Sequence, residues 1–183
     1  MGNERWGMGN EERGRGHAAH RDVPLPIPQL ASPIPLIYKL PRSVLVVVHT
    51  PDLQVLLLER APWPGYWQSV TGSAASADEP LAETAVREVR EETGIEAPRA
   101  ALADWGLENR YEIYPEWRWR YAPGVTHNVE HVFGLTVPAP RVITLAPAEH
   151  SRFAWLPWRA AAERCFSWSN RDAILMLPDR LAR

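Results

Sequence analysis

The sequence predicts an α/β fold, a mixed sheet packed between helices. Three observations carry this expectation: the β-branched run Ser43-Val-Leu-Val-Val-Val48, the amphipathic stretch closed by Gly94, and a mixed order of strand-like and helix-like segments after it. The chain has 183 residues, 45% hydrophobic and 23% charged, enough for one domain with a sizeable core. A formal net charge of -2 argues against duplex nucleic acid or an anionic membrane as partner. No apolar run approaches the ~20 residues of a membrane helix. Cys165 is the single cysteine, so an internal disulfide is impossible and a reducing cytoplasm is the expected compartment.

Residues 1–36 read as a tail, polar at first and then Pro-rich, biased to extended conformations without a core of its own. Met1–Arg21 carries charges with no apolar stretch behind them, so it does not read as a secretory signal. The folded domain, 37–183, is expected to open with Ser43–Val48 as a buried strand. Pro51-Asp52 turns the chain into a second strand at Val55–Leu58, and a Pro-rich loop follows at Ala61–Gly65. Trp67–Val70 reads as a short strand ending at Thr71-Gly72. The helix that follows has Asp78 or Glu79 as its N-terminal cap, Pro80 in the first turn and Gly94 as its left-handed stop. Further strands are expected at Ala103–Leu107, Tyr111–Tyr114 and His131–Val137, with Arg118–Tyr121 pairing to one of them. Helices are expected at Trp158–Arg164 and Asn170–Leu177. The 9 tryptophans suit core and groove packing or a wall on which a flat ring stacks.

The predicted helix carries the chemistry. Ala82, Ala85, Val86 and Val89 share one stripe, while Glu88, Glu91 and Glu92 fall on another arc. Glu88 and Glu92 are one turn apart, close to a helix C-terminus where negative charge opposes the macrodipole. Two carboxylates ~5 Å apart at an effective dielectric of ~20 repel by roughly 3 kcal/mol. A hard divalent cation with oxygen ligands offsets this directly, Mg²⁺ foremost with Mn²⁺ as a substitute. His127, His131 and His150 lack the paired spacing of a zinc site.

These residues resemble the Nudix box, G-x5-E-x7-R-E-U-x-E-E-x-G-U with U a bulky aliphatic residue. Glu79, Arg87-Glu88-Val89, Glu91-Glu92 and Gly94-Ile95 match it in order. The departure is that Gly72 precedes Glu79 by six intervening residues instead of five. The resemblance implies a Nudix fold, an α/β/α sandwich around a mixed β-sheet, and hydrolysis of a nucleoside diphosphate linked to another group. It implies Glu88, Glu91 and Glu92 as metal ligands or base, with Arg87 buttressing the loop through Glu79.

Within that family, Tyr38-Lys39, Trp67–Gly72, Arg120–Thr126, Glu149-His150 and Ser167–Arg171 look like the bacterial dihydroneopterin triphosphate pyrophosphatases of folate biosynthesis. That similarity implies Glu149 as a further metal ligand. It implies Lys39, Arg60, Thr71, Tyr111, Glu112, Ile113, Tyr114 and Ser167 around a small-molecule triphosphate. Glu149 either completes the metal shell or takes the proton of the attacking water, with Glu91 as the competing base and Glu130 as a weaker one. Rival expectations are a Nudix enzyme for nucleoside triphosphates or dinucleoside polyphosphates, and a non-catalytic Nudix domain that senses a nucleotide.

Overall fold

The computed structural model describes residues 38–182, so the expected tail, 1–36, lies outside the described residues. Strands are β1 (Arg42–His49), β2 (Gln54–Arg60), β3 (Trp67–Gln68), β4 (Val70–Ser73), β5 (Leu102–Glu112), β6 (His127–Thr136) and β7 (His150–Pro157). Helices are α1 (Leu81–Thr93), α2 (Trp158–Arg164), α3 (Trp168–Leu175) and α4 (Leu177–Leu181). The strands form one mixed sheet in the order β3-β2-β1-β6-β5, with β4 beside β1 and β7 beside β2. β1 and β6 run parallel, and the other pairings are antiparallel.

β1 is buried on both faces, which is why its sequence is apolar without alternation. Val44, Val46 and Val48 face α1 and pack with Ala85 and Val89. Leu45 and Val47 face the other way, towards Ala161 and Ala162 of α2, Ala173 and Ile174 of α3, and Leu177 of α4. Helices therefore cover both faces of the sheet, as the expected sandwich requires.

Several boundaries differ from the sequence expectation. α1 begins at Leu81 after Pro80, and neither Asp78 nor Glu79 caps it through a side chain. Glu79 is drawn away by the Ala75 N–H and by Arg87. Gly94 ends α1 at φ 67°, as expected. The strand expected at Trp67–Val70 is two strands: β3 pairs with β2 and β4 with β1, and the chain changes partner at Ser69. The two strands expected between Ala103 and Tyr114 are one, β5, whose register slips between Asp104 and Leu107, where Gly106 takes φ 61°. Tyr114 lies beyond β5 and caps a 3-10 turn over Pro115–Arg120, so Arg118–Arg120 forms no strand. Tyr121 alone bridges, to Lys39. β7 is not among the expected strands, because its apolar run is only Phe153–Leu156, flanked by His150, Ser151 and Arg152 on one side and Pro157 on the other.

Candidate active site

A cleft of about 730 Å³ opens beside α1, lined by residues of the sheet, the 3-10 turn and the start of α3. Its acidic corner is built by two elements. α1 contributes Glu92, 1% exposed, and the turn into β7 contributes Glu149 and His150. Ligand atoms of Glu92, Glu149 and His150 all lie within 4.8 Å of one another. His150 Nε2 and Glu92 Oε2 stand 3.1 Å apart, without the alignment of a hydrogen bond, and neither atom has another partner among the described residues. Burial pushes the Glu92 carboxyl above its ordinary range, although His150 pulls it down.

Glu88 lies one turn earlier, over Gly72 of β4. A Cβ on Gly72 would come 1.8 Å from Glu88 Cδ, so glycine is required here for close approach. Burial lifts the Glu88 carboxyl to about 7, even with Arg87 Nη1 at 2.7 Å. Arg87 ties helix to loop: Nε donates to Glu79 Oε1 at 3.1 Å and Nη2 to the Ser73 carbonyl at 3.0 Å. Glu91 is half exposed and turned to Arg87 at 3.2 Å. The expectation of three carboxylates on one arc thus holds for Glu88 and Glu92 only. Neighbours such as Glu91 and Glu92 diverge by ~100° around a helix.

Cations share the cleft with these acids. Lys39 and Arg60 line the cleft with Arg120. Burial lowers the pKa of Lys39, and Arg120 lowers it further, while Glu88 and Glu149 oppose the shift. Arg60 is held by Gln68 Oε1 at 3.0 Å and lies over the rings of Trp63 and Trp117, 4.9 and 5.2 Å from their centroids. Such an arrangement can bind a polyanion along its cationic side and place it beside an acidic corner whose ligand atoms are close enough to share a cation.

The Nudix domain model matches residues 39–177, most of the chain. The chain belongs to the Nudix family. Dihydroneopterin triphosphate diphosphatase of Escherichia coli K12 is 44% identical over 141 residues, covering 75% of this chain and 92% of that enzyme. The Haemophilus influenzae enzyme of the same name is 40% identical over 140 residues, covering 75% and 87%. The solved structure of the E. coli dihydroneopterin triphosphate pyrophosphohydrolase superposes with a TM-score of 0.72 at 41% identity, covering 79% of this chain and 99% of that one.

Against this Nudix frame, the sequence-proposed residues separate. Glu92, Glu149, Lys39, Arg60, Thr71, Tyr111, Glu112, Ile113, Tyr114 and Ser167 all line the cleft. Thr71 Oγ1 accepts from Gln68 Nε2 at 3.1 Å, and Ser167 caps α3 through Asn170. Ile113 is buried, Glu112 is exposed and paired with Arg118, and Tyr114 stands exposed against Trp117. Missed by the sequence reading were His150 in the acidic corner and Arg120 among the cations. His150 carried no spacing signal, because its partners lie on another element and on its immediate neighbour. Trp67 and Trp105 are core residues, while Trp63 and Trp117 hold Arg60. Cys165 is partly buried, and burial pushes its thiol up to about 12, which suits an inert packing role.

Proposed function

We infer that the chain is a divalent-cation-dependent pyrophosphohydrolase that converts dihydroneopterin triphosphate into dihydroneopterin monophosphate and pyrophosphate. The observation that carries this is the 40–44% identity to enzymes of that name across 87–92% of their length. The acidic corner beside a cationic wall is the geometry such a reaction needs.

The donor set fits a hard cation. Glu92 Oε2 and His150 Nε2 are buried without partners, and Glu149 offers a third ligand atom in the same corner. Glu92 and Glu88 would hold the ion, with His150 and Glu149 beside them. Their oxygen-rich set favours Mg²⁺, and the imidazole suits Mn²⁺ as a substitute. When bound, such an ion neutralises phosphate oxygens and lowers the pKa of a coordinated water.

The protein's own residues do the remainder. Lys39, Arg60 and Arg120 receive the phosphate chain, Arg through paired contacts and Lys as a point charge. Arg60 is preorganised by its two tryptophans and Gln68, so little side-chain freedom is lost on binding. Glu149, exposed at the cleft and next to Glu92, is the base we assign to the attacking water. Glu91 is held outward by Arg87 and serves the helix–loop lock instead. Water cleaves the link between the α- and β-phosphates, and the cationic wall stabilises the departing pyrophosphate.

The test is pyrophosphate release from dihydroneopterin triphosphate and from a panel of nucleoside triphosphates and dinucleoside polyphosphates, with Mg²⁺, Mn²⁺ or a chelator. The expected result is the highest kcat/KM for the pterin and loss of turnover in chelator. A nucleotide with a higher kcat/KM than the pterin overturns the substrate assignment.

A further inference from the structure

Six residues, 73–78, separate Gly72 from Glu79, where the Nudix pattern has five. Both ends of this loop are fixed. At its start, Ser73 pairs with Ser43 of β1, and the Ala74 N–H donates to the Arg42 carbonyl at 2.9 Å. At its end, Arg87 holds the Glu79 carboxylate, and the Pro80 carbonyl accepts from the N–H groups of Glu83 and Thr84 in the first turn of α1. With both ends fixed, the surplus residue can only bulge between Ala75 and Asp78. These four residues are exposed and small or polar, so no apolar packing holds the bulge. Segments without buried contacts open locally at little cost.

One side chain reaches the bulge. Arg42, the first residue of β1, donates from Nη1 to the Ala77 carbonyl at 3.1 Å and to the Glu79 carbonyl at 3.0 Å. β1 is hydrogen-bonded to β4 on one side and to β6 on the other, so the donor is borne by well-anchored backbone. The loop's own closing bond, from the Glu79 N–H to the Ser76 carbonyl, is longer at 3.3 Å. Arg42 is not among the residues that line the cleft. Its route to the chemistry runs through Glu79: Arg87 binds Glu79 and also stands 2.7 Å from Glu88 Oε1. Groups that orient a metal ligand tune its affinity even when they touch neither metal nor substrate.

We propose that Arg42 is a positioning residue for the cation site: its grip on the Ala77 and Glu79 carbonyls takes up the extra loop residue and keeps Glu79, Arg87 and Glu88 in line. This deepens the functional reading above and rests on it for the role of Glu88 as a cation ligand. Both bonds come from one nitrogen, so a lysine ammonium can replace them in part and a methionine cannot. A loop of five residues has no surplus to hold and does not need the grip.

The experiment compares wild type with Arg42→Met, Arg42→Lys and a loop shortened by deletion of Ser76 or of Asp78, each deletion alone and combined with Arg42→Met. Mg²⁺ affinity is measured by calorimetry without substrate, and hydrogen exchange follows the amides of 74–79. Turnover of dihydroneopterin triphosphate is followed across a Mg²⁺ titration. In Arg42→Met, Mg²⁺ affinity is expected to weaken by about fivefold or more, with the loop amides exchanging about tenfold faster. The Mg²⁺ needed for half-maximal rate rises in step, while KM for the triphosphate changes by less than about twofold. Arg42→Lys recovers part of each effect. In the shortened loop, Arg42→Met is expected to leave Mg²⁺ affinity within about twofold. Equal Mg²⁺ affinity in Arg42→Met and wild type overturns the proposal, and so does a loss that persists in both shortened loops. Should Arg42→Met fail to fold, a shortened loop that restores both folding and Mg²⁺ affinity supports the proposal, and failure of both deletions to do so overturns it. Calorimetry and exchange need no substrate, so they decide the role of Arg42 even if a nucleotide is preferred to the pterin. Wild type that takes up no Mg²⁺ is a different result, one that removes the cation assignment itself.

Discussion

Replacing Arg87 by Met keeps the aliphatic stem and removes the guanidinium that joins the loop before α1 to the helix. Four acceptors lose a donor: Glu79, Glu88, Glu91 and the Ser73 carbonyl. The cost concentrates on Glu79. Hydrogen bonding from Arg87 holds the Glu79 carboxyl down at about 2, against an ordinary value of 4.5. Glu88 suffers less, since at about 7 it can relieve a lost partner by staying protonated. A shift of that size on Glu79 corresponds to ~3 kcal/mol at neutral pH, and water around the pair reduces it to about 2 kcal/mol. For a chain of this length that lowers Tm by roughly 4–8 °C. The sign with pH follows from a depressed carboxylate. The stabilisation is present above about 4.5 and is lost as pH falls towards 2, so the gap between variant and wild type closes in acid. Thermal melts by circular dichroism, in chelator at pH 7 and pH 3, measure both. A Tm for the variant within 1 °C of wild type at pH 7 refutes the lock.

Three further outcomes are expected. Gly72→Ala displaces Glu88, the flexible side chain that a Cβ would strike, so kcat should drop more than tenfold with Tm changed by only a few degrees; equal activity would show that Glu88 need not sit there. Glu92→Gln is close in shape to the protonated acid that burial favours, so the metal-free fold should melt no lower than wild type while turnover falls at least a hundredfold; retained turnover would remove Glu92 from the cation site. Glu88 is raised to about 7 without the ion, so its protonated form stabilises the metal-free fold fully below about 4.5, and that contribution disappears as pH rises through 7. Cation binding runs the opposite way, and Mg²⁺ affinity by calorimetry should strengthen about tenfold from pH 6 to pH 8. A flat affinity across that range would contradict Glu88 as a ligand.

Local information in the chain determined a good deal. β-branched density announces β1, because a strand covered on both faces needs no alternation. Spacing alone places Glu88 and Glu92 one turn apart on α1, off its apolar stripe, and Gly94 stops that helix where a left-handed residue is needed. These are short-range properties: helix periodicity and backbone sterics act over a few residues, so the sequence displays them directly.

Tertiary structure decided the rest. Glu91 looks equivalent to its neighbours in the sequence and is turned out by the helix's placement on the sheet. β5 is one strand because Leu107–Glu112 pairs without interruption along β6, which carries the polar stretch between the two expected segments in the same ladder. Glu149 and His150 reach Glu92 only because β7 pairs with β2 at the sheet edge. Each of these depends on which distant segments share a wall of the cleft, and that choice is made by burial of the whole core, which no local spacing encodes.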